Sequence, residues 1–147
     1  MMKSLNQFVW VALFFAVPML SAQQKSGSSI VVQLNGIKAP IGQVLLSLFN
    51  APEGFPTHPE KAFRWKTATV TSNSIIISLD GLPPGPYAIA VVHDENSNNV
   101  MDTDWLGLPE EEYGISNNVT GVVPPSFDEA RFIVSEKRDT IRIDMHP

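Results

Sequence analysis

The chain has 147 residues, with 15 Asp and Glu against 10 Lys and Arg, a net charge of −5 and no cysteine. That is a one-domain length, and an acidic chain without a basic stripe lacks the Lys and Arg that nucleic acid or an anionic lipid surface demands. With no disulfide available, stability must come from packing or from a bound ion.

The first element is a targeting segment. Lys3 is followed by the apolar run "VWVALFFAV" and then by "PMLSA", which ends on a small residue at Ala22. That order reads as a secretory signal peptide over residues 1–22. The apolar run is shorter than the roughly 20 residues a bilayer-spanning helix needs, so the expectation is an exported chain, periplasmic or extracellular, with no membrane insertion after cleavage. Residues 23–29 form a polar Gly/Ser lead-in expected to be flexible.

A single domain is expected over 30–147. In "IVVQLNGIK" Ile30, Val32 and Leu34 alternate with Val31, Gln33 and Asn35, the period-two pattern of a strand. "VLLSLFN" from Val44 is a second strand, apolar on both faces. Three prolines in Ala51–Phe63 argue against regular structure there, and "RWKTATV" is a short strand beyond it. "SIIISLDGLPPGPYAIAVVHD" places Ile75, Ile77 and Leu79 before a proline-fixed reversal, and Tyr87, Ile89 and Val91 after it. "ARFIVS" and "TIRIDM", separated by "EKRD", are expected to form a closing hairpin. About seven short strands punctuated by Pro, Gly and Asn make the class all-β: an antiparallel β-sandwich of the immunoglobulin-like or prealbumin-like kind, with a small closed barrel as the alternative.

The segment "HDENSNNVMDTD", His93 to Asp104, leaves an apolar strand and at once gathers oxygen atoms. Counted from Asp94, side-chain oxygens fall at positions one, three, five and nine (Asp94, Asn96, Asn98, Asp102), with the Val100 carbonyl at seven. That is most of a calcium loop of the EF-hand type, in which alternate residues on a tightly curved chain turn hard oxygens inward. Position six needs a sharp bend. Here it is Asn99, which tolerates a left-handed backbone. Position twelve, ordinarily a bidentate Glu, is Trp105, so another carboxylate must close the site, from Asp104 or from "PEEEYG", with Glu110 as the candidate. A turn network in which Asp and Asn bond to their own backbone explains the same composition.

His93 continues the alternation after Val91 and is expected to face the core. An enzyme, a hydrolase using His93 and a loop carboxylate, is the minor reading, and no catalytic residue is assigned. Ser116 has no nucleophile-elbow context. Trp105 and Tyr113 are expected to pack beneath or beside the loop, or else to stack on a sugar ring, which would make the chain a carbohydrate-binding module.

The run "GLPPGPYAIAVVHDENSNNVMDTDWLGLPEEEYGISNN" resembles the bacterial domain of unknown function 2141 family (DUF2141). There an apolar strand ends in a His-Asp-Glu-Asn-x-Asn loop, followed by Asp, Leu-Gly-x-Pro-x-Glu and Tyr-Gly-x-Ser-Asn-Asn. The resemblance covers roughly Ile30 to Pro147 and implies an exported, β-rich protein with no established activity. Members often carry Gly where Ser97, Asn99 and Glu112 stand here, which makes this loop stiffer; the oxygen-bearing positions remain. The expectation is an exported, non-enzymatic module with one Ca²⁺ in its Asp/Asn loop and an unidentified protein or glycan partner.

Overall fold

The computed structural model describes residues 27–121 and 123–147. The segment read as a signal peptide and the first part of the lead-in lie outside the described residues. Among the described residues eight strands form: β1 (Ser28–Asn35), β2 (Gln43–Phe49), β3 (Arg64–Thr69), β4 (Ser74–Leu82), β5 (Gly85–Asp94), β6 (Tyr113–Ile115), β7 (Phe132–Val134) and β8 (Asp139–Asp144), with one short α-helix, α1 (Phe127–Ala130), before β7. β1 opens at Ser28, so the last two residues of the expected lead-in are already strand.

One sheet runs β4-β1-β8 and the other β3-β2-β5-β6, with β7 paired to the start of β5. The sheets do not close into a barrel, and the all-β sandwich holds. The alternation in the sequence sets the faces. Ile30, Val32 and Leu34 from one sheet meet Val44, Leu46, Leu48, Tyr87, Ile89 and Val91 from the other in the main core. Burial of such aliphatic side chains is worth about 1.5–3 kcal/mol each.

The larger sheet is covered on its outer face too. Phe49, Ala88, Ala90 and Ile115 pack there against Phe127 and Ala130 of α1, with Phe55 from the proline-rich segment set edge-on to both Phe49 and Phe127. This is why "VLLSLF" and "YAIAVV" are apolar on both faces. Ser126 caps α1 by accepting from the Glu129 N–H, and Glu129 reaches back to the Ser126 N–H.

Two connections differ from the expected reversals. β4 and β5 do not pair with each other: β4 lies against β1 and β5 against β2. The two prolines between them, Pro83 and Pro84, carry no N–H for either ladder and pass the chain from one sheet to the other. Nor is there a closing hairpin. β7 pairs antiparallel with Gly85–Tyr87, where β5 runs past its pairing with β6, and β8 runs parallel to β1. Each strand meets a separate unpaired edge, which satisfies more backbone than the two short strands would by facing each other.

Where β6 ends, a hydroxyl takes over from the ladder. The Ile89 N–H donates to Ser116 Oγ at 2.9 Å, and Ser116 Oγ donates to the Ala130 carbonyl at 2.7 Å, all of it buried. Ser116 is thus a structural splice between β5 and α1. Ser116→Ala strands a buried N–H and is expected to cost about 1–3 kcal/mol, seen as a lower urea midpoint with an unchanged slope.

Candidate functional site

The oxygen-rich segment springs from the end of β5. Asp94 is fully buried at its root. Its Oδ1 accepts from the Asn98 N–H at 3.0 Å; its Oδ2 accepts from the Asn99 N–H at 2.8 Å and from Gln43 Nε2 at 2.8 Å. The first residue of the loop therefore gathers the N–H groups of positions five and six around itself. Ser97 (φ 60°) and Asn99 (φ 68°) are left-handed, so the bend demanded at Asn99 is present and position four adds a second.

Asn96 Oδ1 accepts from the Asn98 N–H and Asn98 Oδ1 from the Val100 N–H, two successive Asx turns. The amide nitrogens of both point at one acid: Asn96 Nδ2 donates to Asp102 at 2.6 Å and Asn98 Nδ2 at 3.0 Å. Asp94, Asn96, Asn98 and Asp102 are thus brought together. Val100 follows with its side chain exposed.

Asp104 and Glu110 are not part of this group. Asp104 Oδ1 accepts from the Leu106 and Leu108 N–H groups and nucleates a turn of its own, while the exposed Glu110 joins only through its backbone N–H, which donates to the Asp102 carbonyl. The carboxylate that closes the loop is Glu111. Its Oε1 accepts from the Glu95 N–H at 3.2 Å and its Oε2 from the Asp102 N–H at 3.1 Å, so it staples the two ends of the loop together. Strand register explains the choice. Val92 pairs with Tyr113 and Val91 with Gly114, and the His93 N–H donates to the Glu112 carbonyl. Continued by one residue, that register sets Glu111 beside Asp94 on the outer face and turns Glu112 inward with His93. The phase of Tyr113 and Ile115 carried this signal in the sequence.

Burial pushes the Glu111 carboxyl above its ordinary value. The N–H groups of Asp102 and Glu95 oppose the rise, and the carboxylates of Asp102 and Asp94 add to it. Asp94 goes the other way: burial opposes ionisation, but hydrogen bonds from Gln43 and from the N–H groups of Asn99, Asn98 and Ser97 outweigh it and hold the carboxyl low. Ionised Asp94 therefore stabilises the fold above its ordinary value, and that contribution is lost as pH falls through its lowered one. Glu111 contributes below its ordinary value and loses that contribution as pH rises through its raised one.

The aromatic residues are placed differently from the expectation. Trp105 is 89% exposed at the tip of the Asp104 turn and does not pack under the loop. The turn, closed by Gly107 at φ 81°, points position 105 to solvent. Tyr113 packs beside the outer cluster. It also lines an apolar groove of about 860 Å³ together with Trp65, Val92, Val100, Met101 and Leu108. His93 faces the core, as its alternation required, and is fully buried.

The fold and the site together define a β-sandwich domain with an Asp/Asn-rich loop, closed by carboxylates, at one strand end. The chain belongs to the DUF2141 family, described as an uncharacterized protein conserved in bacteria, whose model matches residues 32–142 and so includes the whole loop. No curated protein and no solved structure matches it.

Proposed function

We propose that this chain is an exported, non-enzymatic binding module, periplasmic or extracellular, whose Asp94–Asp102 loop is locked by one calcium ion. One observation carries the reading. Three carboxylates, Asp94, Asp102 and Glu111, are drawn together at the loop root, and among the described residues no Lys, Arg or His makes an ion pair with any of them. Asp94 and Glu111 are buried and Asp102 is half-buried beside them, and like charges held this way call for a counter-charge. A hard, oxygen-seeking dication supplies it, and the left-handed bends support the same reading. Asn96 and Asn98 would turn their amides by half a revolution, exchanging N–H donors for carbonyl ligands. The locked loop then forms one wall of the apolar groove, through Asn99, Val100 and Met101, and the groove is the surface for a partner. Exposed Trp105 favours a second reading, a glycan stacked on that ring.

The test is thermal unfolding in calcium and in chelator. At calcium a hundredfold above Kd the folded state gains about 2.7 kcal/mol; superimposable curves would sink the proposal. The pH dependence follows from Glu111. Protons and calcium compete for its carboxylate, and Glu111 takes up a proton at a higher pH than Asp94. Calcium affinity is therefore expected to weaken as pH falls while Asp94 is still ionised, and titrations at a series of pH values should lose this early step in Glu111→Gln.

A further inference from the structure

The same two chain segments present a second set of donors on the opposite face. Asp94 and Glu111 turn outward; His93, Glu95 and Glu112 come together on the other side, one donor atom of each lying within 4.8 Å of the others. We propose that these three residues bind a first-row divalent transition metal, zinc by the character of the donors.

His93 Nε2 lies 2.9 Å from the Ile41 carbonyl, a contact that is favourable only if Nε2 carries the hydrogen. In the neutral ring Nδ1 is then a bare lone pair, and it faces Glu112 Oε2 at 3.1 Å. Two lone pairs at that separation need a cation between them, either a proton or a metal ion. Two further observations favour the metal. Glu95 Oε1 is a third donor, 3.8 Å from the same Nδ1, which a single shared proton does not require. The other oxygen of Glu112, Oε1, is buried without a hydrogen-bond partner, its ion pair with the Lys38 ammonium being long at 3.8 Å; a two-oxygen grip on an ion would use it, whereas a proton between Nδ1 and Oε2 would not.

The surroundings suit an ion. Nitrogen and carboxylate ligands at about 2.0–2.2 Å from zinc are compatible with the 3.1 and 3.8 Å that separate His93 Nδ1 from Glu112 and Glu95. The Nε2–H to carbonyl bond is the outer hydrogen bond that orients a metal-bound histidine, and the Lys38 N–H fixes Glu112 by donating to Oε2 at 3.0 Å. Glu95 is 44% exposed and opens the site to solvent, leaving a fourth position for water or for a group from a partner. The Lys38 ammonium, 3.8 Å from Oε1 on a side chain 63% exposed, can swing away as the ion enters. An imidazole in the donor set separates this site from the all-oxygen loop, since calcium prefers oxygen and zinc accepts nitrogen.

The test titrates the full chain with Zn²⁺, and with Co²⁺ as a spectroscopic stand-in, in millimolar calcium so that the outer loop is saturated. One zinc per chain is expected, with visible Co²⁺ bands of a four-coordinate nitrogen-oxygen site. Glu95→Gln, at a partly exposed position that leaves the core intact, should weaken zinc roughly 10–100-fold or more, and Glu112→Gln should do the same. His58→Ala, which removes a surface histidine paired with Glu60, should change nothing. Absence of stoichiometric binding, or parental affinity in both glutamine variants, overturns the proposal. So does an NMR signal from a hydrogen on His93 Nδ1 in the zinc-saturated chain, since that makes the contact an imidazolium–carboxylate pair.

Discussion

Asp94→Ala is expected to remove the difference between unfolding curves recorded in calcium and in chelator, and to lower both. The two effects have separate origins. In chelator the substitution strands the Asn99 N–H and takes one of two acceptors from the Asn98 N–H, which keeps Asn96 Oδ1, and from Gln43 Nε2, which keeps Asn99 Oδ1. The backbone pair leads into the loop and water reaches part of it, so the loss should be about 2–3 kcal/mol in total, at the lower end of what unpaired buried donors cost. For a domain of this size that is a fall in Tm of about 8–12 °C. In calcium the loss should be larger by the whole increment the ion gives the parent. A variant that melts lower but keeps the parent's calcium-dependent rise would show that Asp94 is a loop-former and not a ligand. One that melts like the parent would contradict the hydrogen-bond account as well.

The second large effect is expected at Gly42, immediately before β2. Its backbone is left-handed at φ 66°, and a Cβ there would run into the Asp94 carbonyl oxygen and lie 2.6 Å from that of Glu95. Neither obstacle is a flexible side-chain end; both are main chain at the loop root. Gly42→Ala therefore combines a backbone penalty of about 1 kcal/mol with an overpacking cost of about 1–3 kcal/mol. It should also weaken calcium, because relief of the clash displaces Asp94. Gly81→Ala is the control: φ is 69°, but nothing lies within 4 Å of the added atom. Urea unfolding of the two variants separates the terms. Equal losses would mean that the close approach at Gly42 carries no energy.

The longer strands were legible because period two is strong where one face is buried; the three-residue β6 is too short to alternate and was not expected. Ile30, Val32 and Leu34, and Tyr87, Ile89 and Val91, all point inward as their alternation demands. Alternation fixes which face a residue takes, not which strand lies beside it. That is why the pairings of β7 and β8 could not be read: each has the composition of a hairpin arm, and the decision lay in which edges the rest of the sandwich left open. The loop was legible in its oxygens and in the bend at Asn99. Its closing acid was not, because "EEE" has no apolar alternation of its own to set a phase. The phase has to be carried back from Tyr113 and Ile115, and the register of β6 against β5 then separates exposed Glu110 from Glu111 outside and Glu112 inside. A slip of one residue would exchange the last two, and with them the carboxylate at the loop root and the one beside His93. Trp105 misled for a different reason. Large aromatics are usually buried, but the carboxylate of Asp104 winds a turn that holds this ring out in water.

β1 lies between β4 and β8, and β8 comes from more than a hundred positions further along the sequence. As the chain is delivered N-terminus first, β1 can zip to β4 early, yet one of its flanks stays bare until residue 144 has arrived. During that interval the nascent sheet offers a sticky backbone edge to chaperones and to other copies of itself. Products that stall or are clipped before β8 should therefore be found with holdases and proteases, or in inclusion bodies, rather than as trimmed native domains.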